Sequence, residues 1–247
     1  MELRTFDDRS AAEAALAAEI AALVRSAARA GRRCALGLAT GSSPLGVYAE
    51  LARLHRDEGL SFAGVDVFHL DEFAGIGPQH PASFRRFLRA RFLDAVDVDP
   101  RRVHLLDGER PAEEVCPAYE AEIRAAGGID LQILGLGLNG HVGFNEPGSE
   151  RGSRTRLVEL HPVSRAACAA SLGCEPPARA LTLGLGTIRE ARRLRLLAFG
   201  QQKAEILAAL LSGARGRDLP AAFLLDHPDA QLFADAAAAA LCPRGTA

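Results

Sequence analysis

Asn139, His141 and Glu146 stand close together in Leu134–Ser149, a stretch that also carries Gly135, Gly137, Gly140 and Gly143. An imidazole and a carboxylate on a glycine-rich turn suit general acid–base work on a small molecule. The glycines remove side chains from a bend where backbone must turn tightly or approach a ligand. The same residues also read as a plain glycine-rich connection with one surface His.

Four further stretches could contribute. Asp71 and Glu72 end the apolar run of Phe68–Phe73, where burying two carboxylates without purpose is costly. Alternation from Val67 aims Asp71 into a cleft as a base and leaves Glu72 to bond locally; the other reading has both facing water. In Leu38–Pro44, Gly41 permits an unusual backbone angle, Ser43 can cap, and Pro44 suits the first helical position. Thr40, Gly41, Ser42 and Ser43 therefore form either an anion cradle at a helix start or a simple cap. Lys203, the only lysine in the chain, closes Gly200–Lys203 near another helix start, where a compact ammonium could reach an anion. Ala180–Thr187 reads as wall and backbone contact, and His227-Pro228 as a structural turn. The remaining histidines lack metal-ligand spacing, so no metal is expected.

The elements that must position these groups alternate along the chain. Helices are predicted over Arg9–Ala30, Pro44–Glu58, Ser83–Val96, Pro111–Ala126, Ser164–Leu172 and Lys203–Ser212. Strands are predicted over Cys34–Ala39, Val65–Leu70, Val103–Leu106, Ile129–Leu134, Arg156–Leu160, Ala180–Leu185, Leu194–Phe199 and Gln231–Phe233. Such alternation implies an α/β fold: a three-layer α/β/α sandwich with a mostly parallel, Rossmann-like central sheet. Ligands of such sheets bind where loops leave the carboxyl ends of the strands, and the five stretches above all fall there. No Gly-, Ser- or Pro-rich linker interrupts residues 1–247, which predicts a single domain.

Composition excludes several classes. With 247 residues, 48% of them hydrophobic and 24% charged, the chain can bury a large core. No apolar run is long enough to span a membrane. Met1–Ala30, with Glu13, Glu19, Arg25 and Arg29 among alanines, reads as an amphipathic helix without the apolar centre of a signal peptide. A net charge of −2 with scattered signs argues against a nucleic-acid surface. Cys34, Cys116, Cys168, Cys174 and Cys242 form no CxxC pair and read as reduced, mostly buried thiols of a cytoplasmic protein.

Together these stretches resemble the glucosamine-6-phosphate deaminase/isomerase family, from the Thr40–Pro44 loop to the His227-Pro228 turn. The most specific pieces are Leu70–Phe73, Gly140–Pro147 and Ser153–Arg156. The resemblance implies conversion of glucosamine 6-phosphate and water to fructose 6-phosphate and ammonia, with neither metal nor cofactor. Galactosamine 6-phosphate giving tagatose 6-phosphate is the alternative. A 6-phosphogluconolactonase and a non-catalytic sugar-phosphate sensor rank lower, because Asp71-Glu72 and Asn145-Glu146-Pro147 favour deamination and no room precedes Cys34 for a DNA-binding module.

By resemblance Asp71 is the enolisation base, His141 the ring-opening acid/base, and Glu146 the carboxylate that assists it. Thr40, Gly41, Ser42, Ser43, Gly137 and Lys203 match groups that hold the sugar phosphate. Two positions depart from the family. Asn139 stands where well-known deaminases carry Asp, and can still orient the imidazole. Ala170 stands where the family has a phosphate-binding Arg, with Arg165 and Arg179 as candidates to replace it. Val158 and Glu159 do not match allosteric members, so no activation by N-acetylglucosamine 6-phosphate is expected. The implied partner is a small amino-sugar phosphate alone, with no nucleic acid or membrane, and with the chain a monomer or homo-oligomer.

Overall fold

A computed structural model of the chain describes residues 1–173, 175–213 and 218–242, leaving aside the side chains of Ala167, Ser171 and Leu172. Its centre is a seven-stranded, all-parallel sheet. The spatial order is β1 (Glu2–Phe6), β10 (Ala230–Asp235), β9 (Leu194–Ala198), β6 (Leu131–Gly135), β2 (Cys34–Leu38), β3 (Val65–His69) and β5 (Val103–His104). β6 occupies the middle, and β2, β3 and β9 are buried along their whole length, as strands covered on both faces must be.

Helices α1 (Arg9–Arg29), α2 (Leu45–Glu58), α4 (Ala112–Ala125), α6 (Leu185–Arg189) and α7 (Ala204–Leu211) join the strands. The predicted mostly parallel α/β sheet is therefore observed. Among the described residues no helix is long and apolar enough to cross a membrane.

Five expectations need correction. Met1–Ala30 is not one helix: Glu2–Phe6 pairs in register with Gln231–Asp235, and α1 starts only at Arg9, capped by Asp8 accepting from the Ala11 amide. A five-residue edge strand carries little local signal; its pairing with β10 and the Phe6–Phe233 stack at 5.6 Å decide the matter. Asp71–Phe73 is a strand (β4), not a loop start. It pairs antiparallel with β8 (Arg179–Thr182), which pairs with β7 (Arg156–Glu159) to form a small second sheet. The helix predicted over Ser83–Val96 is only α3 (Phe84–Arg91), followed by a 3₁₀ turn at Leu93–Ala95. Helix α5 runs Pro162–Leu172, so Ser164 lies inside its first turn. Pro44 occupies the cap position of α2, and Ser43 makes no capping bond.

One large apolar cluster fills the sandwich. A smaller one, with Phe73, Phe84, Phe144 and Leu160 at its centre, packs residues of the second sheet against the start of α3. Cys34 and Cys116 are buried free thiols and Cys168 and Cys242 are half-buried; Cys174 lies outside the described residues.

Candidate active site

Asp71 is placed by two sheets at once. Leu70 ends the β3 run by donating its amide to the Leu38 carbonyl at 3.0 Å and accepting from the Leu183 amide at 2.9 Å. The chain then turns into β4, where Asp71 faces Thr182 across the antiparallel ladder. Glu72 is consumed locally, as alternation predicts. Its carboxylate accepts from the amides of Phe73, Phe84 and Arg85 and from the Ser83 hydroxyl, neutralising the start of α3. Asp71 has the opposite environment. It is 5% exposed, and burial, then the charge of Glu72, push its pKa up to about 8 against a hydrogen bond from Thr40. Its Oδ1 is buried with no hydrogen-bond partner among the described residues.

The loop after β6 builds a relay. Glu146 can only accept, so it takes the Asn139 amide N–H₂ at 2.9 Å and turns the amide oxygen toward His141. That oxygen accepts from His141 Nδ1 at 2.6 Å and from the His141 backbone amide at 3.2 Å. The proton therefore sits on Nδ1, and Nε2 is left for acid–base exchange. Burial works to raise the pKa of Glu146, but His141, Ser164 and Asn139 outweigh it and hold the carboxyl low. Glu146 Oε1 is a second buried carboxylate oxygen without a partner among the described residues. Gly137 is required by approach: a Cβ there would overlap the His141 ring.

The loop after β2 and Lys203 meet at the end of β6. Gly41 adopts φ +85°, and Ser43 Oγ lies 3.8 Å from where a Cβ of Gly135 would be. Lys203 donates to the Leu136 carbonyl at 2.6 Å, and burial lowers its ammonium pKa. Loop amides, hydroxyls and a desolvated ammonium at one strand end suit an anion.

Backbone stitching brings the base and the imidazole loop together. Phe144 donates its amide to Thr182 Oγ1 at 3.1 Å, and Asn145 donates its side-chain amide to the Leu183 carbonyl at 2.8 Å. The relay loop is thus fastened to β8, and β8 carries β4 with Asp71. Cys168 of α5 records the result: after burial, Asp71 and Glu146 both raise its thiol pKa, to about 11.

Ser164 was not singled out from sequence. It is 2% exposed, with Oγ 3.1 Å from His141 Nδ1, and it also bonds the Glu146 carboxylate. A hydroxyl at a helix start reads as a cap, so no local signal separates this use. Ala170 is exposed on α5. Of its suggested substitutes, Arg165 is ion-paired with Glu175 at 2.7 Å, and Arg179 opens β8 at the end remote from Thr182 and faces Glu159 at 4.0 Å. His227 accepts from the Asp229 amide and bonds the Ala191 carbonyl, a structural turn as expected.

Residues 7–233 match the family described as glucosamine-6-phosphate isomerases/6-phosphogluconolactonase. The chain is 44% identical over 224 residues to glucosamine-6-phosphate deaminase 1 of Giardia intestinalis, covering 89% of this chain and 83% of that one. It is 39% identical over 224 residues to glucosamine-6-phosphate deaminase 2 of Bacillus subtilis (strain 168), covering 89% and 90%. A solved monomeric glucosamine-6-phosphate deaminase superposes with a TM-score of 0.92 at 36% identity, over 98% of this chain and all of that one. A 6-phosphogluconolactonase from Thermotoga maritima shares the fold, with a TM-score of 0.76 at 22% identity over 95% of this chain and 99% of that one. The chain belongs to the glucosamine-6-phosphate isomerase/6-phosphogluconolactonase family.

Proposed function

We propose that the chain is a glucosamine-6-phosphate deaminase, converting glucosamine 6-phosphate and water to fructose 6-phosphate and ammonia. The observation that carries this reading is the pair of buried, unpartnered carboxylate oxygens on Asp71 and Glu146, one on β4 and one on the loop fastened to the neighbouring β8, the second tied to an imidazole. Relatives named for this reaction match most of the chain.

The phosphate binds at Thr40, Gly41, Ser42 and Ser43 and at Lys203, with Gly137 leaving room for the sugar. His141 exchanges a proton at the ring oxygen through Nε2 and opens the ring. Asn139 holds its other nitrogen, and Glu146 passes charge stabilisation through that amide. Asp71 then takes the proton from carbon 2, exchanges it with solvent and delivers a proton to the same face at carbon 1, turning the 2-amino aldose into a 2-imino ketose. Water adds at carbon 2 and ammonia leaves, so the atoms balance. A carboxylate with a pKa near 8 is a stronger base than one in water, which suits abstraction from carbon. Thr40, bonded to Asp71, links the phosphate loop to the base, and anchoring the far end fixes the reacting carbons.

Residues 1–247 act as one domain in this reading. All the named groups come from one chain, so a monomer suffices in this reading, and a phosphorylated sugar that does not cross membranes unaided supports a cytoplasmic enzyme. A coupled ammonia-release assay on glucosamine 6-phosphate, galactosamine 6-phosphate and 6-phosphogluconolactone tests it. Turnover of the first is expected. Ammonia from the second alone, acid from the third alone, or thermal protection without turnover each overturns the assignment.

A further inference from the structure

We infer that Arg9 is a positioning residue of the sugar-phosphate subsite. The inference rests on the proposed function for the identity of the ligand.

Because Glu2–Phe6 is a parallel strand, α1 begins at the carboxyl edge of the sheet, where β2, β6 and β9 release their loops. Arg9 is the first residue of α1. Its Nη2 donates to the Ser42 carbonyl at 2.5 Å, its Nε donates to Glu13 at 2.7 Å, and its guanidinium lies 5.2 Å over the Phe199 ring. Phe199 follows β9 and leads through Gly200 to Lys203. One planar cation therefore bridges the two loops that carry the anion-binding groups. Glu13 fixes it from behind: its carboxylate lies where a side chain on Gly46, in the first turn of α2, would otherwise stand.

The geometry has a consequence at the next amide. In a trans peptide the carbonyl and the following N–H point in opposite directions. Holding the Ser42 carbonyl toward α1 turns the Ser43 N–H the other way, and the Ser43 hydroxyl already faces Gly135 at the end of β6. Arg9 thus orients a donor of the cradle and polarises its peptide. It also sets a second positive charge beside a site whose other cation, Lys203, is the only lysine in the chain.

The test compares Arg9→Gln and Arg9→Lys with the unaltered protein. KM and kcat for glucosamine 6-phosphate are measured, together with thermal protection by inorganic phosphate. Arg9 is half-buried at the edge of the molecule and outside the apolar core, so both variants are expected to fold, which their unliganded thermal scans check. Arg9→Gln is expected to raise KM about tenfold, the size of one charge-assisted hydrogen bond, with kcat within about twofold. Protection by phosphate weakens in parallel, and Arg9→Lys recovers part of both. Unchanged KM and unchanged protection in Arg9→Gln overturn the inference. So does lower unliganded stability with KM intact, which would make the role merely structural. If the unaltered protein releases no ammonia yet Arg9→Gln loses phosphate protection, the Arg9 role stands and the reaction assignment falls. If phosphate protects neither protein and KM is equal, the role of Arg9 falls.

Discussion

Replacing Asp71 with Asn keeps the shape of a buried side chain and removes its charge. In the folded chain the pKa of Asp71 rises from an ordinary 3.8 to about 8, chiefly through burial. Folding therefore favours the neutral acid. The stability associated with that proton is fully present below about 4 and is lost as pH climbs to about 8. At 1.36 kcal/mol per pH unit the rise sets a ceiling of about 6 kcal/mol; water entry and relaxation leave about 2–3 kcal/mol. Asn carries no charge at any pH, and its unpaired N–H resembles the unpaired O–H of the neutral acid. The Tm advantage of Asp71→Asn over the unaltered protein should accordingly grow by about 5 °C or more between pH 5 and pH 9, at about 2–4 °C per kcal/mol for a chain of this size. The repulsion between Asp71 and Glu72 exists only in the unaltered protein and adds to the pH-dependent difference in the same direction. Paired thermal scans at the two pH values give the answer, and an offset that does not change with pH would refute the reasoning. The same variant should lose detectable ammonia release while retaining protection by inorganic phosphate; normal turnover would remove Asp71 from the chemistry.

The remaining predictions concern the relay and its pH response. Asn139→Ala takes away the acceptor for His141 Nδ1–H and should lower kcat about 10²–10³-fold with little change in KM, read from steady-state kinetics. Gly137→Ala drives a methyl group into the His141 ring down to its Cγ, forcing the imidazole off its bonds to Asn139 and Ser164, so kcat should fall by about two orders of magnitude or more and Tm should drop with it, read from kinetics and a thermal scan. Because Asp71 must be ionised to act as a base, kcat/KM should rise with pH up to about 8; a plateau already complete at pH 6 would contradict the raised pKa.

Much of this architecture was legible in the sequence because period and composition change together along it. Strands buried on both faces and separated by helical stretches dictate a parallel sheet, and every chemical group followed a strand. The division of labour between Asp71 and Glu72 followed from alternation, since only one of two neighbours can face a given side. What escaped depends on partners distant in sequence. β1 is a strand through its ladder with β10 at the other end of the chain, and β4 exists through three pairings with β8. The helix start at Arg9 was legible, but without the strand Glu2–Phe6 before it nothing showed that this start lies at the carboxyl edge of the sheet. Ser164 and Thr182 are common residues whose use is set by what folds against them.

The central claim is that Asp71 and His141 act on one amino-sugar phosphate, and its most direct measurement is made in deuterated water. Glucosamine 6-phosphate is incubated with the enzyme, ammonia is quantified, and deuterium at carbon 1 of the fructose 6-phosphate is located by NMR. The account predicts one ammonia per ketose, deuterium confined to one of the two carbon 1 positions, and neither product from Asp71→Asn. Ammonia release without such one-sided labelling, or equal labelling by Asp71→Asn, would contradict it.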